Sequence, residues 1–242
     1  MLGIMRYLNP HIGDLNGVSI RAFGSRVGLI LVSCCLLGLS VALWSMQIPQ
    51  LQATAEARYG PLGAATIKDW EAMVMNYADA GVSTQLQQVN DFFNQNIRWV
   101  EDMEAWQTAD YWATPGETMG RGVGDCEDFS IAKYATLTLM GVPASSLRLV
   151  YVKAKRNGLN TAHMVLAWYD TAEGSPLILD NMDYIIRPAS ERGDLNPVFS
   201  FNGEQLWLGT RATPTQYQPT ARLSRWRQVV EKIRQEGFTE GF

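Results

Sequence analysis

The apolar positions of the chain predict helices first and strands afterwards. In three segments, apolar residues recur three or four positions apart, which is the spacing of an amphipathic helix. The segments are about Val82 to Ile97, about Cys126 to Met140, and Leu223 to Ile233 near the C-terminus. Gly141 and Pro143 follow the second segment and are typical of a helix end.

Strand-like runs fill the stretch between the second and third predicted helices. They are residues 147–154, 162–169 and 176–181, and turn residues such as Asn157-Gly158 separate them. The stretch 101–124 is rich in Trp, Tyr and Gly without a regular repeat, so it is predicted to be a long loop. Helices followed by a mainly antiparallel sheet indicate the α+β class.

An uncharged segment of twenty residues, Val27 to Met46, lies near the N-terminus. Arg21 and Arg26 precede it, so residues 1–26 are predicted to be a basic cytoplasmic leader. The segment is predicted to be a signal peptide, or an uncleaved signal anchor that tethers the chain to a membrane. A buried core helix is the alternative, although a core helix is normally amphipathic. Both export interpretations place the rest of the chain outside the cytoplasm.

The remainder of the chain is predicted to be a linker over residues 47–70 and one globular domain over residues 71–242. Hydrophobic residues make up 47% of the whole chain, with eight Trp, which is enough for a packed core. Beyond residue 46 there are 17 basic and 23 acidic residues, a net charge of −6. No basic run occurs, so nucleic acid is not expected to be a partner.

After the apolar segment the chain contains one cysteine and one histidine, Cys126 and His163. A lone thiol in an exported domain has no disulfide partner, which raises the possibility of a reactive cysteine. A glycine-rich loop ends just before Cys126, so the thiol is predicted to lie in the first turn of a helix. There the unpaired N–H groups and the helix dipole favour a thiolate, and the same N–H groups suit an oxyanion. A buried inert cysteine is the alternative, but Asp125, Glu127 and Asp128 are unusual neighbours for a core position.

His163 lies 37 residues after Cys126, on an apolar predicted strand that would hold it rigidly enough for a general base. Asp180 ends the next strand. A hairpin of the two strands would bring the carboxylate beside His163, where it could fix the tautomer and stabilise the imidazolium. Taken singly, His163 fits a core histidine and Asp180 fits a turn residue. In the order Cys, His, Asp they predict a nucleophile, a general base and an orienting carboxylate.

These residues resemble the transglutaminase-like branch of the papain superfamily. More narrowly, the chain resembles the bacterial transglutaminase-like cysteine proteinases, the LapG-type periplasmic proteases of biofilm adhesins. The resemblance implies a papain-like fold in which the helix of the nucleophile packs on the sheet, and it covers roughly residues 82–208. It is carried by DYWATP (110–115), GDCEDFSIAKY (124–134), residues 147–154, AHMVL (162–166), LILDN (177–181) and FSFNGEQLW (199–207).

The resemblance implies a calcium-dependent endopeptidase in the periplasm. Such enzymes cut a large cell-surface adhesin near its N-terminus, at a pair of alanines, and so release it and promote biofilm dispersal. The periplasmic domain of an inner-membrane receptor for cyclic-di-GMP holds them inactive. The calcium carboxylates of the family correspond to Asp125 and Glu127, with Asp128 as a third. The chemistry agrees, because Ca²⁺ prefers about six to eight hard oxygen ligands.

The acidic residues around Cys126 have a second explanation and a chemical consequence. Glu127 and Asp128 could serve only to complement the positive end of the helix dipole. Carboxylates beside Cys126 would raise the pKa of the thiol unless a cation neutralised them, which would explain a metal requirement.

The substrate cleft and the reaction type are less specified than the triad. Trp112, Asn160 and the aromatic stretch 106–112 are candidates for the cleft. Acyl transfer to an amine, as in a transglutaminase or amidase, uses the same triad and differs only in the acceptor. A non-catalytic module that binds calcium and a partner is the other open alternative.

Overall fold

The structure is a computed structural model that describes residues 50–171, 174–209, 213–215, 223–238 and 241–242. The predicted leader and apolar segment, residues 1–46, lie outside the described residues. Within the described ranges, no helix is both long enough and apolar enough to cross a membrane. The export segment therefore stays a prediction.

Seven α-helices surround or enter the core of the described chain, and the first comprises the helical residues 50–59, named α1. The others are α2 (Pro61–Tyr77), α3 (Val82–Asn96), α4 (Asp102–Trp106), α5 (Pro115–Arg121), α6 (Cys126–Leu139) and α7 (Ser224–Gln235). The predicted helices at α3, α6 and α7 are confirmed, each with bounds close to those expected. In α3 and α7, the apolar residues whose spacing predicted a helix are the ones that face the core.

The strands form a six-stranded antiparallel sheet and a separate parallel pair. The pair joins β1 (Arg98–Trp99) to β2 (Val123–Gly124). The large sheet has the order β6-β5-β4-β3-β7-β8, so the α+β class is confirmed. Its strands are β3 (Leu147–Arg156), β4 (Leu159–Trp168), β5 (Leu177–Leu179), β6 (Arg187–Pro188), β7 (Leu195–Phe201) and β8 (Leu206–Leu208).

The β3–β4 hairpin turns at Asn157-Gly158, as the sequence predicted. Both turn residues have positive φ, 50° and 81°, which matches the twist of a two-residue hairpin turn. β4 also pairs antiparallel with β5, so the strand that carries His163 lies beside the strand that Asp180 follows.

Residues 47–70 were predicted to be a linker, but their described part is helical from residue 50. Gly60, with a φ of 84°, separates α1 from α2, and Pro61 begins α2. This Gly-Pro break resembles a linker in the sequence, although it only joins two helices. Trp70 is fully buried and donates a hydrogen bond from Nε1 to Thr136 Oγ1 (3.0 Å), which ties α2 to α6.

The stretch 101–124 is not the continuous loop that the sequence predicted. It contains the short helices α4 and α5, together with β2. Thr114 caps α5 by accepting a hydrogen bond from Glu117 N (3.0 Å), and the Glu117 side chain accepts from Thr114 N in return (3.0 Å). The Thr-Pro-Gly-Glu sequence of this capping box is itself a signal for the start of a helix.

Helix α6 runs through the core, and every residue from Asp128 to Thr138 is buried. It contacts β3 and β4 of the sheet as well as α3 and α5. A helix that is buried on all sides has little freedom to shift, because protein interiors are packed to crystal density. The N-terminus of α6, where Cys126 lies, is therefore held firmly against the sheet.

Candidate active site

Cys126 is the first residue of α6, with Asp125 as the helix N-cap. Ser130, one turn later, donates its hydroxyl to Cys126 O (2.8 Å) and lies 3.2 Å from Met164 O. Met164 is the neighbour of His163 on β4. One serine hydroxyl thus fastens the first turn of the nucleophile helix to the strand of the histidine.

His163 is buried on β4, opposite Val152 of β3. Its Nε2 lies 2.8 Å from Asp180 Oδ1. An ionised carboxylate only accepts hydrogen bonds, so Nε2 carries the proton and Nδ1 is the unprotonated nitrogen in the neutral ring. Nδ1 is buried and has no hydrogen-bond partner among the described residues. His163 and Cys126 line the same cleft.

The Asp180 carboxylate is held by three donors. Besides the contact with His163, its Oδ1 accepts from Met182 N (2.9 Å) and its Oδ2 accepts from Arg192 Nη2 (2.8 Å). Burial by itself would raise the pKa of Asp180. The hydrogen bond and charge of His163 oppose burial, with help from Met182 and Arg192, and the pKa falls to about 2.

Arg192 is a residue that the sequence analysis missed. It is buried, and it bonds Asp194 through Nε and Nη2 (2.9 and 2.8 Å) as well as Asp180. It follows a single 3₁₀ turn, Ala189–Glu191, in a segment with no motif. Only the fold brings its guanidinium behind the His163–Asp180 pair.

Four carboxylates surround the thiol side of the site. Two groups of three possible metal ligands occur here, and in each group one ligand atom per residue lies within 4.8 Å of the others. The first group is Asp102, Asp125 and Asp128, and the second is Asp125, Cys126 and Glu127. Asp102, which comes from α4, was not among the predicted metal residues. No motif marks it, because its position beside Asp125 depends on how the stretch 101–124 folds.

These carboxylates crowd together in a buried setting. Burial, followed by the charges of Glu127 and Asp128, raises the pKa of Asp125 to about 10. Burial also raises the pKa of Asp102 to about 6, and that of Asp128 well above its usual range. The Oδ1 atoms of Asp102 and Asp125 are buried without a hydrogen-bond partner among the described residues. Hard oxygens that are buried, crowded and unsatisfied fit a cation such as Ca²⁺.

The thiol is coupled to this cluster. Cys126 Sγ donates to Glu127 Oε2 (2.9 Å). Burial raises the pKa of the Cys126 thiol well above its usual range, and the charges of Glu127 and Asp125 raise it further. Without a cation, this arrangement keeps the thiol protonated. The conflict that the sequence predicted between the acidic neighbours and a thiolate is therefore present in the structure.

The cleft at the site has a volume of about 710 Å³. Trp112, Tyr151 and Phe199 line it, as do Trp99 and Met103. Of the predicted cleft candidates, Trp112 is confirmed. Asn160 is exposed on β4 and does not line the cleft, and of the stretch 106–112 only Ala109, Asp110 and Trp112 do.

Comparison with known proteins identifies the family. Residues 66–193 match the profile of the bacterial transglutaminase-like cysteine proteinases (BTLCP). The chain belongs to this family. It is therefore a cysteine protease of the transglutaminase-like fold, as the resemblance in the sequence indicated. None of the curated proteins is similar enough to count as a match.

Solved structures of Legionella pneumophila LapG share this fold. One has 37% sequence identity and a TM-score of 0.66, and the alignment covers 77% of this chain and 97% of that one. An EGTA-treated form also has 37% identity, with a TM-score of 0.67 and coverage of 77% and 97%. A calcium-bound form has the same identity and TM-score, with coverage of 77% and 98%.

Proposed function

We propose that this protease is a calcium-dependent periplasmic endopeptidase with Cys126 as the nucleophile, His163 as the base and Asp180 as the orienting carboxylate. The observation that carries the proposal is the state of the His163 ring. Nε2 is bonded to Asp180, whereas Nδ1, in the cleft that Cys126 shares, has no partner among the described residues. An imidazole that a carboxylate orients, and whose other nitrogen lies in the cleft of the thiol, can serve as the base for that thiol.

The proposed reaction has two halves. His163 Nδ1 takes the thiol proton, and Cys126 Sγ attacks the carbonyl carbon of the scissile bond. The C–N bond breaks as His163 returns the proton to the leaving amine, and a thioester remains on Cys126. His163 then deprotonates a water molecule that attacks the thioester, and the C–S bond breaks as His163 returns that proton to Cys126 Sγ and the carboxyl product leaves. The backbone N–H groups of the first turn of α6 are the proposed donors to the oxyanion.

We propose that Asp102, Asp125, Glu127 and Asp128 hold the calcium ion. The two unsatisfied Oδ1 atoms of Asp102 and Asp125 support this set. A bound calcium ion supplies positive charge that offsets the carboxylates around the thiol. Glu127 links the two sites, because its side chain is the present acceptor of the Cys126 thiol.

We propose that the substrate is a large cell-surface adhesin, cut near its N-terminus at paired alanines, and that its release promotes biofilm dispersal. The aromatic, open cleft is suited to an extended peptide, and the resemblance to the LapG-type proteases implies the substrate class. We also propose that the periplasmic domain of an inner-membrane receptor for cyclic-di-GMP inhibits the enzyme. Both proposals follow from the resemblance to the LapG-type proteases.

The test uses the full-length chain and an adhesin N-terminal fragment that contains paired alanines. Cleavage is followed on a gel with calcium, with EGTA, and with the variant Cys126→Ala. The proposal expects cleavage only by the intact enzyme with calcium, and loss of cleavage when the receptor domain is added. Cleavage by Cys126→Ala would refute the nucleophile. Incorporation of a labelled amine, in place of hydrolysis, would indicate acyl transfer.

A further inference from the structure

Lys133 is the most deeply buried cation of the described chain that the proposed mechanism does not use. Its exposed fraction is 1%, and both of its hydrogen-bond partners are amide oxygens rather than carboxylates. Nζ donates to Asn90 Oδ1 (2.9 Å) and to Asn94 Oδ1 (2.8 Å), both on α3. Burial lowers the pKa of Lys133 to about 7, although Asp180 and Asp91 oppose the shift. A buried amine without a carboxylate partner destabilises the fold, so its presence calls for an explanation.

The two asparagines carry the contact onwards to the loop that follows β5. Asn94 Nδ2 donates to Asp180 O (2.8 Å), and Asn90 Nδ2 donates to Tyr184 O (2.9 Å). The ammonium form of Lys133 has only donors, so it binds the oxygen of each amide and leaves the NH₂ groups to face the loop. Lys133 thereby fixes which way both amides point.

Lys133 also lies on the helix of the nucleophile. It is seven residues after Cys126, two helical turns along the same side of α6. Ser130, between them, bonds Met164 O beside His163. One side of α6 thus carries Cys126, contacts the strand of His163 through Ser130, and is linked to the Asp180 loop through Lys133 and the two asparagines.

We propose that Lys133 and Asn94 are positioning residues that fix the backbone of Asp180, and through it the His163 ring, relative to Cys126. This inference rests on the proposed function, because it assigns a role within that triad. Neither side chain lines the cleft that Cys126 and His163 share. They act on the peptide group of Asp180, whose carboxylate sets the orientation of His163.

Two variants separate positioning from stability. Lys133→Met keeps the length of the side chain but removes the donor, which frees both amides to turn. Asn94→Asp keeps the shape and gives Lys133 a carboxylate partner, but it replaces the donor to Asp180 O with an acceptor. Thr136→Val is the matched control. It removes the hydroxyl on α6 that accepts the hydrogen bond from Trp70, and it leaves the contacts of the Asp180 loop unchanged.

The first measurement is the rate at which iodoacetamide alkylates Cys126 in the full-length protein at neutral pH with calcium. Mass spectrometry reads the Cys126 peptide, since the chain also contains Cys34 and Cys35. We expect both variants to slow alkylation by about 10- to 100-fold, the loss typical of a misplaced catalytic group. Thr136→Val is expected to react at the wild-type rate. Two results would overturn the inference. One is a change in alkylation rate that the unfolded fraction of each variant fully explains, and the other is a wild-type rate in Asn94→Asp.

The second measurement observes the His163–Asp180 bond itself. With [¹⁵N]histidine labelling, the Nε2 proton of His163 is expected to give a low-field resonance, and His11→Asn removes the other histidine from the spectrum. We expect this resonance to shift or broaden in Lys133→Met and Asn94→Asp, and an unchanged resonance in both would overturn the inference. If His163→Ala alkylates at the wild-type rate, the thiol–imidazole pair of the proposed function fails, and the resonance still decides the inference.

Discussion

His163 Nε2 and Asp180 Oδ1 lie 2.8 Å apart, and both side chains are shielded from solvent. Burial by itself would raise the pKa of Asp180, but the hydrogen bonds from His163, Met182 and Arg192 lower it to about 2, so the carboxylate is ionised at any working pH. An ionised Asp180 fixes the proton of the neutral ring on Nε2. Nδ1 is then the nitrogen left to receive a proton from a thiol.

Asp180→Asn should therefore impair the reaction more than its small change in shape indicates. The new NH₂ group must face either His163 Nε2–H or Arg192 Nη2, and both are donors. We expect kcat/KM to fall by about 10²- to 10⁴-fold, as when a histidine loses its orienting carboxylate. Cleavage of the adhesin fragment measures this loss. Asp183→Asn, three residues later and paired with Arg187, is the control and should leave kcat/KM near the wild-type value.

Arg192→Met should destabilise the fold much more than Arg187→Met. Arg192 is 6% exposed in its side chain and neutralises the buried Asp180, whereas Arg187 is 38% exposed and pairs with Asp183 near the surface. Removal of one partner from a buried pair typically costs about 3–5 kcal/mol of the free energy of unfolding, against about 0–1 kcal/mol for a surface pair. Urea unfolding of the two variants measures the difference. Equal losses would show that Arg192 does not hold Asp180 in the way described.

The main helices and strands, and the triad proposed from Cys126, His163 and Asp180, could be predicted because each follows a local rule. The glycine-rich loop before a helix marks the thiol, and two adjacent strands bring the other side chains together. Arg192 and Asp102 could not be found in this way, since neither lies in a motif and each reaches the site only through the packing of loops.

The burial of Lys133 could not be predicted from the sequence either. The residue lies in a helix whose apolar residues predicted only a core, and a lysine there would be expected to face solvent. Its burial makes sense only once Asn90 and Asn94 of α3 are known to face it. The capping box at Thr114, by contrast, can be recognised in the sequence. The prediction of a continuous loop over 101–124 did not take it into account and therefore lacked α5.

Calcium should stabilise the protein, and chelation should reverse the effect. The carboxylates of the cluster repel one another without a cation, and a ligand that binds only the folded state adds about 2.7 kcal/mol at a hundred times its Kd. We expect the melting temperature to rise with calcium and to return to its starting value with EGTA. Asp102→Asn and Asp125→Asn should abolish the rise, while Asp69→Asn, an exposed change on α2, should not. A rise that survives in both cluster variants would place the ion elsewhere.

Glu236 should make stability depend on pH near neutrality. It follows α7, and its carboxylate accepts hydrogen bonds from the Thr114 hydroxyl and from Gly116 N (3.0 Å), which ties α7 to the start of α5. Burial raises the pKa of Glu236 to about 7, although these hydrogen bonds oppose the shift. The unfolded chain ionises this group at about 4.5.

Because the folded-state pKa is the higher one, the stabilising contribution of protonated Glu236 is complete below about pH 4.5 and is lost as the pH rises through 7. Glu236→Gln carries no such titration. Wild type should therefore lose stability relative to Glu236→Gln between these pH values, on the order of 2 kcal/mol. Urea unfolding at pH 5 and pH 7.5 measures the change, with Glu231→Gln on the exposed side of α7 as the control. The same difference at both pH values would mean that Glu236 is ionised throughout this range in the folded protein.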